Sequence, residues 1–153
     1  MKVLVTGDRH WKNSRMIMRA LQGLPEYTVI VHGGASGADS LAGHLAKNYK
    51  FKVKVYPAEG EKNGRVAGPV RNRKMLDEEN PDLVLAFHNN ISESRGTADC
   101  LRQAIIKGKE FELWTEEGKD ERSKLFIMQD HKGLGSHKVL GSNLHNKLNK
   151  GLV

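Results

Sequence analysis

Glycines, hydroxyls and arginines gather in four short stretches of this chain, and together those residue types make places for anions. The first is Thr6-Gly7-Asp8-Arg9-His10-Trp11. Gly7 lets the backbone turn sharply, and Arg9 offers a planar fork of donors matched to phosphate. An ordinary strand-to-helix turn with a surface arginine would have the same letters. The second is His32-Gly33-Gly34-Ala35-Ser36-Gly37-Ala38-Asp39, with three glycines and two alanines directly before a helical pattern. With so little side chain in the way, an anion can approach the backbone amides, and a helix start adds unpaired N–H groups and partial positive charge. The stretch is neither a G-x-G-x-x-G fingerprint nor a Walker A loop, which needs Gly-Lys-Ser/Thr. Asp39 either favours the helix dipole from the first turn, worth about 0.3–1 kcal/mol, or accepts ribose hydroxyls.

The third stretch is Ser92-Glu93-Ser94-Arg95-Gly96-Thr97-Ala98-Asp99. Its hydroxyls and amides converge on another helix start, either to hold phosphate or simply to cap the helix through Ser94 or Thr97. Between these two lies Gly64-Arg65-Val66-Ala67-Gly68-Pro69-Val70-Arg71-Asn72-Arg73-Lys74-Met75. Arg71 and Met75 share a helical face at i and i+4, so Arg71 can point to a ligand edge while Met75 packs beneath it. Arg73 and Lys74 read as solvated.

Loops need strands and helices to hold them. Short β-branched runs at Lys2–Thr6, Thr28–His32, Lys52–Tyr56, Leu83–Phe87 and Phe111–Trp114 alternate with helical patterns at Ser14–Leu24, Ala38–Tyr49, Pro69–Glu79 and Thr97–Lys107. Four of the strands are apolar on both faces, as in a buried parallel sheet, while Lys52–Tyr56 alternates like an edge strand. Pro69 suits a first helical turn and Gly108 a C-terminal cap. The fold class is α/β, a Rossmann-like three-layer sandwich on a mostly parallel sheet of about five strands, with right-handed crossovers. Ligands then lie beyond the carboxyl ends of the strands, where the glycine-rich loops fall.

Residues 1–115 form the expected nucleotide-ligand domain, and 116–153 a charged, Gly/His/Lys-rich C-terminal extension. Phe126-Ile-Met128 reads as a short extra strand or a docking segment. Leu140, Leu144 and Leu148 would anchor a tail or line a short helix.

The chain is 153 residues long, with 25 Lys+Arg against 18 Asp+Glu and a single cysteine, Cys100. That length supports one core without disulfide or metal staples. The lone cysteine, the absence of a signal-peptide pattern and the lack of a ~20-residue apolar run suggest a cytoplasmic protein without membrane attachment. The net charge of +7 favours anionic partners, but its signs are mixed along the chain and only 6% of residues are aromatic. A small phosphorylated ligand therefore ranks above single-stranded nucleic acid, which needs stacking platforms. His131, His137 and His145 lack the spacing and cysteine partners of a zinc site, so no metal and no cofactor are expected. His32 and His88 end strands and either face the pocket or serve the core and turns.

Taken in order, the motifs resemble the YspA-like branch of the SLOG superfamily, which also includes LOG-type phosphoribohydrolases and the DNA-processing protein A family. The likeness rests on Val5-Thr6-Gly7-Asp8-Arg9-His10-Trp11, the His32–Asp39 loop, Gly64-Arg65-Val-Ala-Gly68-Pro69, Arg71-Asn72, Met75, Ala86-Phe87 and Arg95-Gly-Thr-Ala-Asp99. It implies a Rossmann-like sheet, a pocket for nucleotides or nucleotide-derived ligands, and commonly a homodimer. Arg71-Asn72-Arg73-Lys74-Met75 looks like the Arg-Lys-x-x-Met segment of LOG enzymes, which carries an active-site role onto Arg71. The Ser94–Cys100 segment looks like their Gly-Gly-x-Gly-Thr-x-x-Glu segment, which carries phosphate binding onto Gly96 and Thr97. Cys100 stands where that pattern has its catalytic glutamate. Asp99, one residue earlier and about 100° round the helix, is the candidate carboxylate for cleaving an N-glycosidic bond.

The resulting expectation is a binder of a nucleotide-derived phosphorylated ligand, acting as a sensor or sequestering protein or as a nucleotide-processing enzyme. The alternatives are a LOG-like N-glycoside hydrolase using Arg71 and Asp99, and a single-stranded DNA binder. Gly7, Gly33, Gly34, Ala35, Gly37, Ser94, Gly96 and Thr97 would surround phosphate. Arg9, Arg65 and Arg71 would neutralise it, with Gly68 and Asn72 beside them, and Asp39 or Asp99 would hold ribose.

Overall fold

The computed structural model describes residues 1–59 and 64–129, apart from the side chain of Arg65. The strands are β1 (Lys2–Gly7), β2 (Val29–His32), β3 (Lys52–Val55), β4 (Leu83–Phe87), β5 (Glu110–Thr115) and β6 (Gly118–Lys119). They form one sheet in the order β3-β2-β1-β4-β5-β6, in which only β6 runs antiparallel. The helices are α1 (Ser14–Gln22), α2 (Ala38–Ala46), α3 (Ala67–Glu79), α4 (Gly96–Ile106) and α5 (Glu121–Gln129).

Side chains alternate across each strand, and the two faces fill separate cores. Val3, Val5, Ile30, Leu85 and Phe87 pack with Trp11, Ile17 and Leu21 and with Ala38, Ala42 and Ala46, beneath α1 and α2. Leu4, Val31, Val84 and Ala86 pack on the opposite face with Met75 and Leu76 of α3, and with Ala98 and Leu101 of α4. Helices thus cover both faces, which makes the α/β three-layer sandwich. β3 takes the edge, where its lysines reach solvent.

Helix ends follow local chemistry. Asn13 caps α1 through Oδ1, which accepts from the Met16 N–H at 3.2 Å. Pro69 sits in the first turn of α3, where its missing N–H costs nothing. Gly108, at φ +72°, ends α4 by donating to the Ile105 carbonyl.

Residues 116–129 belong to the same body as the sheet. The chain turns back after β5 to pair β6 with it, and Asp120 Oδ1 accepts from the Ser123 N–H to open α5. Phe126-Ile-Met128 lies in this helix rather than in a strand, the helix's buried positions Ser123 and Ile127 falling four residues apart on one helical face. The leucines at 140, 144 and 148 and the histidines at 131, 137 and 145 lie outside the described residues. No helix among the described residues is long and apolar enough to cross a membrane.

Candidate functional site

The chain order reverses between β1 and β4, one crossover leading to β2 and the other to β5. Loops leaving the two strands there must splay apart, and a crevice opens at their carboxyl ends. A cavity of about 620 Å³ occupies this place, lined by Thr6–His10 after β1, Ala35, Ser36 and Asp39 after β2, His88 and Glu93–Thr97 after β4, and Arg71 from α3. Of the residues expected from sequence, Gly7, Arg9, Ala35, Asp39, Arg71, Ser94, Gly96 and Thr97 therefore meet at one wall.

Close backbone approach draws these loops together. A Cβ on Gly7 would come 2.5 Å from the Phe87 carbonyl oxygen and 2.7 Å from Ala38 Cβ, so only glycine lets β1, β4 and α2 converge. Gly37 has φ +78°, and a Cβ there would strike the Asp8 and Arg9 backbone at 2.3–2.4 Å. The Ala38 N–H donates to the Asp8 carbonyl at 3.1 Å across the same contact. Gly37 thus joins the first two loops and does not line the cavity.

Gly33 acts differently. The Arg71 guanidinium lies on it, with Nη1 donating to the Gly33 carbonyl at 2.8 Å. Arg71 Nε also donates to Asn72 Oδ1 at 3.1 Å. A Cβ on Gly33 would meet Arg71 Nη1 at 2.1 Å. The glycine thus provides a flat seat that aims the arginine at the cavity. Gly34, at φ +74°, donates its N–H to His32 Nδ1 at 2.9 Å and shapes the same turn.

Asp39 folds the second loop around itself. Its Oδ2 accepts from the Gly33 N–H at 3.0 Å and from the Ala35 N–H at 3.4 Å. Burial pushes the carboxyl up to about 6, against the opposing pull of Arg71 and these two amides. The same aspartate faces the cavity.

Ser94 Oγ accepts from the Thr97 and Ala98 N–H groups at 3.0 and 3.2 Å, which caps α4. Its neighbours Arg95, Gly96 and Thr97 form the cavity wall at the positive end of that helix.

Asn72 and Asp99 lie behind the wall. Asn72 is buried, and its Nδ2 donates to Asp99 Oδ2 at 2.9 Å and to the Gly96 carbonyl at 3.3 Å. Asp99 also accepts from Gln103 Nε2 at 2.8 Å and from Arg102 Nη2 at 2.9 Å. Its carboxylate is held between α3 and α4 and is not part of the cavity lining. Cys100 is fully buried in the core under α4, and burial pushes its thiol up to about 12. Gly68 is half-exposed on the first turn of α3, with nothing within 4 Å of a Cβ built there. The Arg65 side chain lies outside the described structure.

His88, which the sequence offered either to the pocket or to the core, lines the cavity, as do Asp8, His10, Ser36, Glu93 and Arg95, to which sequence assigned no individual role. These five lie within the quoted motifs, so loop position was the available signal. His88 Nδ1 accepts from the Asn90 N–H at 3.0 Å, which leaves Nε2 as its second hydrogen-bonding atom. Burial lowers its pKa, with Asp8 and Glu93 opposing. Among the described residues no cluster of three His, Cys, Asp or Glu is placed to hold a metal ion.

Parts of this chain are similar to known proteins. The model of the YAcAr family, described as the YspA, cpYpsA-related SLOG family, matches residues 1–62. Gene 61 protein of Mycobacterium phage D29 is 35% identical over 116 residues, covering 70% of this chain and 90% of that protein. The chain belongs to the YspA, cpYpsA-related SLOG family. Among solved structures, DNA processing protein A from Streptococcus pneumoniae superposes with a TM-score of 0.54 at 20% identity. The match covers 74% of this chain and 49% of the other, so this SLOG chain spans about half of its length. At that identity the likeness shows a shared fold.

Proposed function

We propose that this SLOG protein binds a nucleotide or nucleotide-derived ligand through its phosphate, in the cavity between the β1 and β4 loops. The observation that carries the reading is the seating of Arg71 on Gly33, which aims a guanidinium into a cavity also walled by Arg9 and by the N-terminus of α4. A guanidinium and a helix start across one crevice match the charge and geometry of a phosphate. Asp8, Asp39, Glu93 and His88 in the same lining suit sugar hydroxyls and set the limit on how much negative charge the site accepts.

The geometry disfavours the LOG-like route of N-glycosidic cleavage through Asp99. That route needs the Asp99 carboxylate at the sugar, and Asp99 is engaged by Asn72, Arg102 and Gln103 behind the cavity wall instead. The test is titration calorimetry of the full chain with nucleoside monophosphates, NAD and ADP-ribose, followed by chromatography of the same mixtures after hours of incubation. Binding that Arg71→Ala weakens, with no base released, is the expected result. No binding at millimolar concentration would overturn the reading, and release of free base that Asp99→Asn abolishes would establish the hydrolase.

A further inference from the structure

A second cavity, of about 480 Å³, opens beside the first and is walled by the end of β3 and by α3. Arg71 is the one residue among those described that belongs to both walls. The two cavities differ in character. Where the first is lined mainly by carboxylates, arginines and helix-start groups, the second has an apolar floor of Val55, Pro57, Ala67 and Val70, with Tyr56 beside it and Glu59 and Lys74 as its other charged side chains besides Arg71.

Both valines of that floor are exposed apolar side chains. Val55 is 52% exposed and Val70 42% exposed, although they come from different elements and face one hollow. Tyr56 is fixed next to them, its hydroxyl donating to the buried Glu79 with Glu78 Oε2 also within reach at 3.0 Å. The Lys74 ammonium lies 5.8 Å from the Tyr56 ring centroid. An apolar shelf with a rigid aromatic ring and cations along one side suits a flat, uncharged ring system tethered to negative charge.

The rim between the cavities carries no side chain from the β2 loop. Gly33 seats Arg71, and Gly34 lies against Val55, where an added Cβ would come 3.1 Å from Val55 Cγ1. Ala35, the next residue, already lines the first cavity. Gly33 is buried beneath that guanidinium and Gly34 is exposed, so a molecule can cross from one hollow to the other over the Gly34 backbone, with Arg71 beside its path.

We infer that the ligand is bipartite, with its phosphate in the cavity at the β1 and β4 loops and its nucleobase on the Val55, Pro57 and Val70 shelf of the second cavity. This rests on the phosphate-binding reading above and names the part of the ligand that reading leaves open. The base adds affinity here by covering exposed apolar surface, and Arg71 joins the two halves of the site.

The test compares ribose 5-phosphate with AMP, GMP, CMP and UMP by calorimetry on the full chain. At least one nucleotide should bind about ten-fold tighter than ribose 5-phosphate, equivalent to about 1.4 kcal/mol. The double substitution Val55→Gln and Val70→Gln, at two exposed positions and without change of charge, should remove that gain. It should leave ribose 5-phosphate binding unchanged, which also reports that the variant is folded. Equal affinity for ribose 5-phosphate and all four nucleotides would overturn the bipartite ligand while leaving the phosphate site standing. A double variant that retains the full nucleotide preference would overturn it as well. Failure of every probe to bind would overturn both readings.

Discussion

Replacing Gly33 by alanine should weaken phosphate binding from a position that does not line the cavity, and the structure fixes how. The added methyl would lie 2.1 Å from Arg71 Nη1, 2.5 Å from Cζ and 2.9 Å from Nε, where 3.4 Å begins ordinary contact. The guanidinium must retreat by about 1 Å or more, losing its 2.8 Å bond to the Gly33 carbonyl and its aim. Gly33 has no positive φ, so its backbone accepts alanine and the fold is retained. A hydrogen bond between a guanidinium and a phosphate is worth about 1.5–3 kcal/mol, which corresponds to roughly 10–150-fold in Kd. Gly33→Ala should lose a factor in that range, and Arg71→Ala at least as much. The decisive measurement is calorimetric titration of both single variants and the double variant with the tightest-binding nucleoside monophosphate. Since the methyl acts only by displacing Arg71, the double variant should bind no worse than Arg71→Ala alone. Losses that multiply in the double variant, or a Gly33→Ala protein that binds like the parent, would refute the seat.

The other glycines should respond according to their surroundings. Gly37→Ala combines φ +78° with backbone at 2.3–2.4 Å and should cost about 2–4 kcal/mol in denaturant unfolding. Gly68→Ala has open space in a helix and should gain about 0.4–1 kcal/mol without changing affinity. Asp39 makes stability depend on pH, because burial raises it from 3.8 to about 6. The folded state then keeps a proton that the unfolded state releases between pH 4 and 6, so this contribution is full below pH 4 and lost as pH rises through 6. It amounts to about 3 kcal/mol at most. Urea unfolding of the parent and Asp39→Asn across that window should show the difference, and parallel curves would refute it. The Cys100 thiol, fully buried and pushed up to about 12, should resist Ellman's reagent until the chain is denatured. Mixed surface charge should leave single-stranded DNA unshifted in a mobility assay at about 50 mM salt. A shift that fades steeply with added salt would instead mark a nucleic-acid surface.

Strand and helix positions were legible in the sequence because they depend on local patterns. The Val-Leu-Val run of β1, the Leu83–Phe87 run of β4, Pro69 early in α3 and Gly108 at the end of α4 each satisfy a rule spanning a few residues. Phe126-Ile-Met128 was ambiguous for the same reason, since three apolar residues suit either period and only packing of Ile127 against the sheet selects the helix. The anion-binding character of the loops was equally local, since glycine, hydroxyl and arginine content shows in the letters.

The division of labour within those loops was not. Gly7, Gly33 and Gly37 look alike in sequence, yet Gly7 admits the Phe87 backbone, Gly37 admits the Asp8–Arg9 backbone and Gly33 seats a side chain from 38 residues away. Arg71 and Arg73 are two residues apart, but only Arg71 lines the cavity. Asp99 stands in a motif that suggested chemistry, and the approach of α3 through Asn72 turned it into a brace. The sequence by itself determined the elements and placed charge and flexibility at their ends, because those depend on neighbours along the chain. Tertiary structure decided which of the end residues face the ligand, which join the loops and where a second cavity meets the first, because contacts between distant segments set those roles.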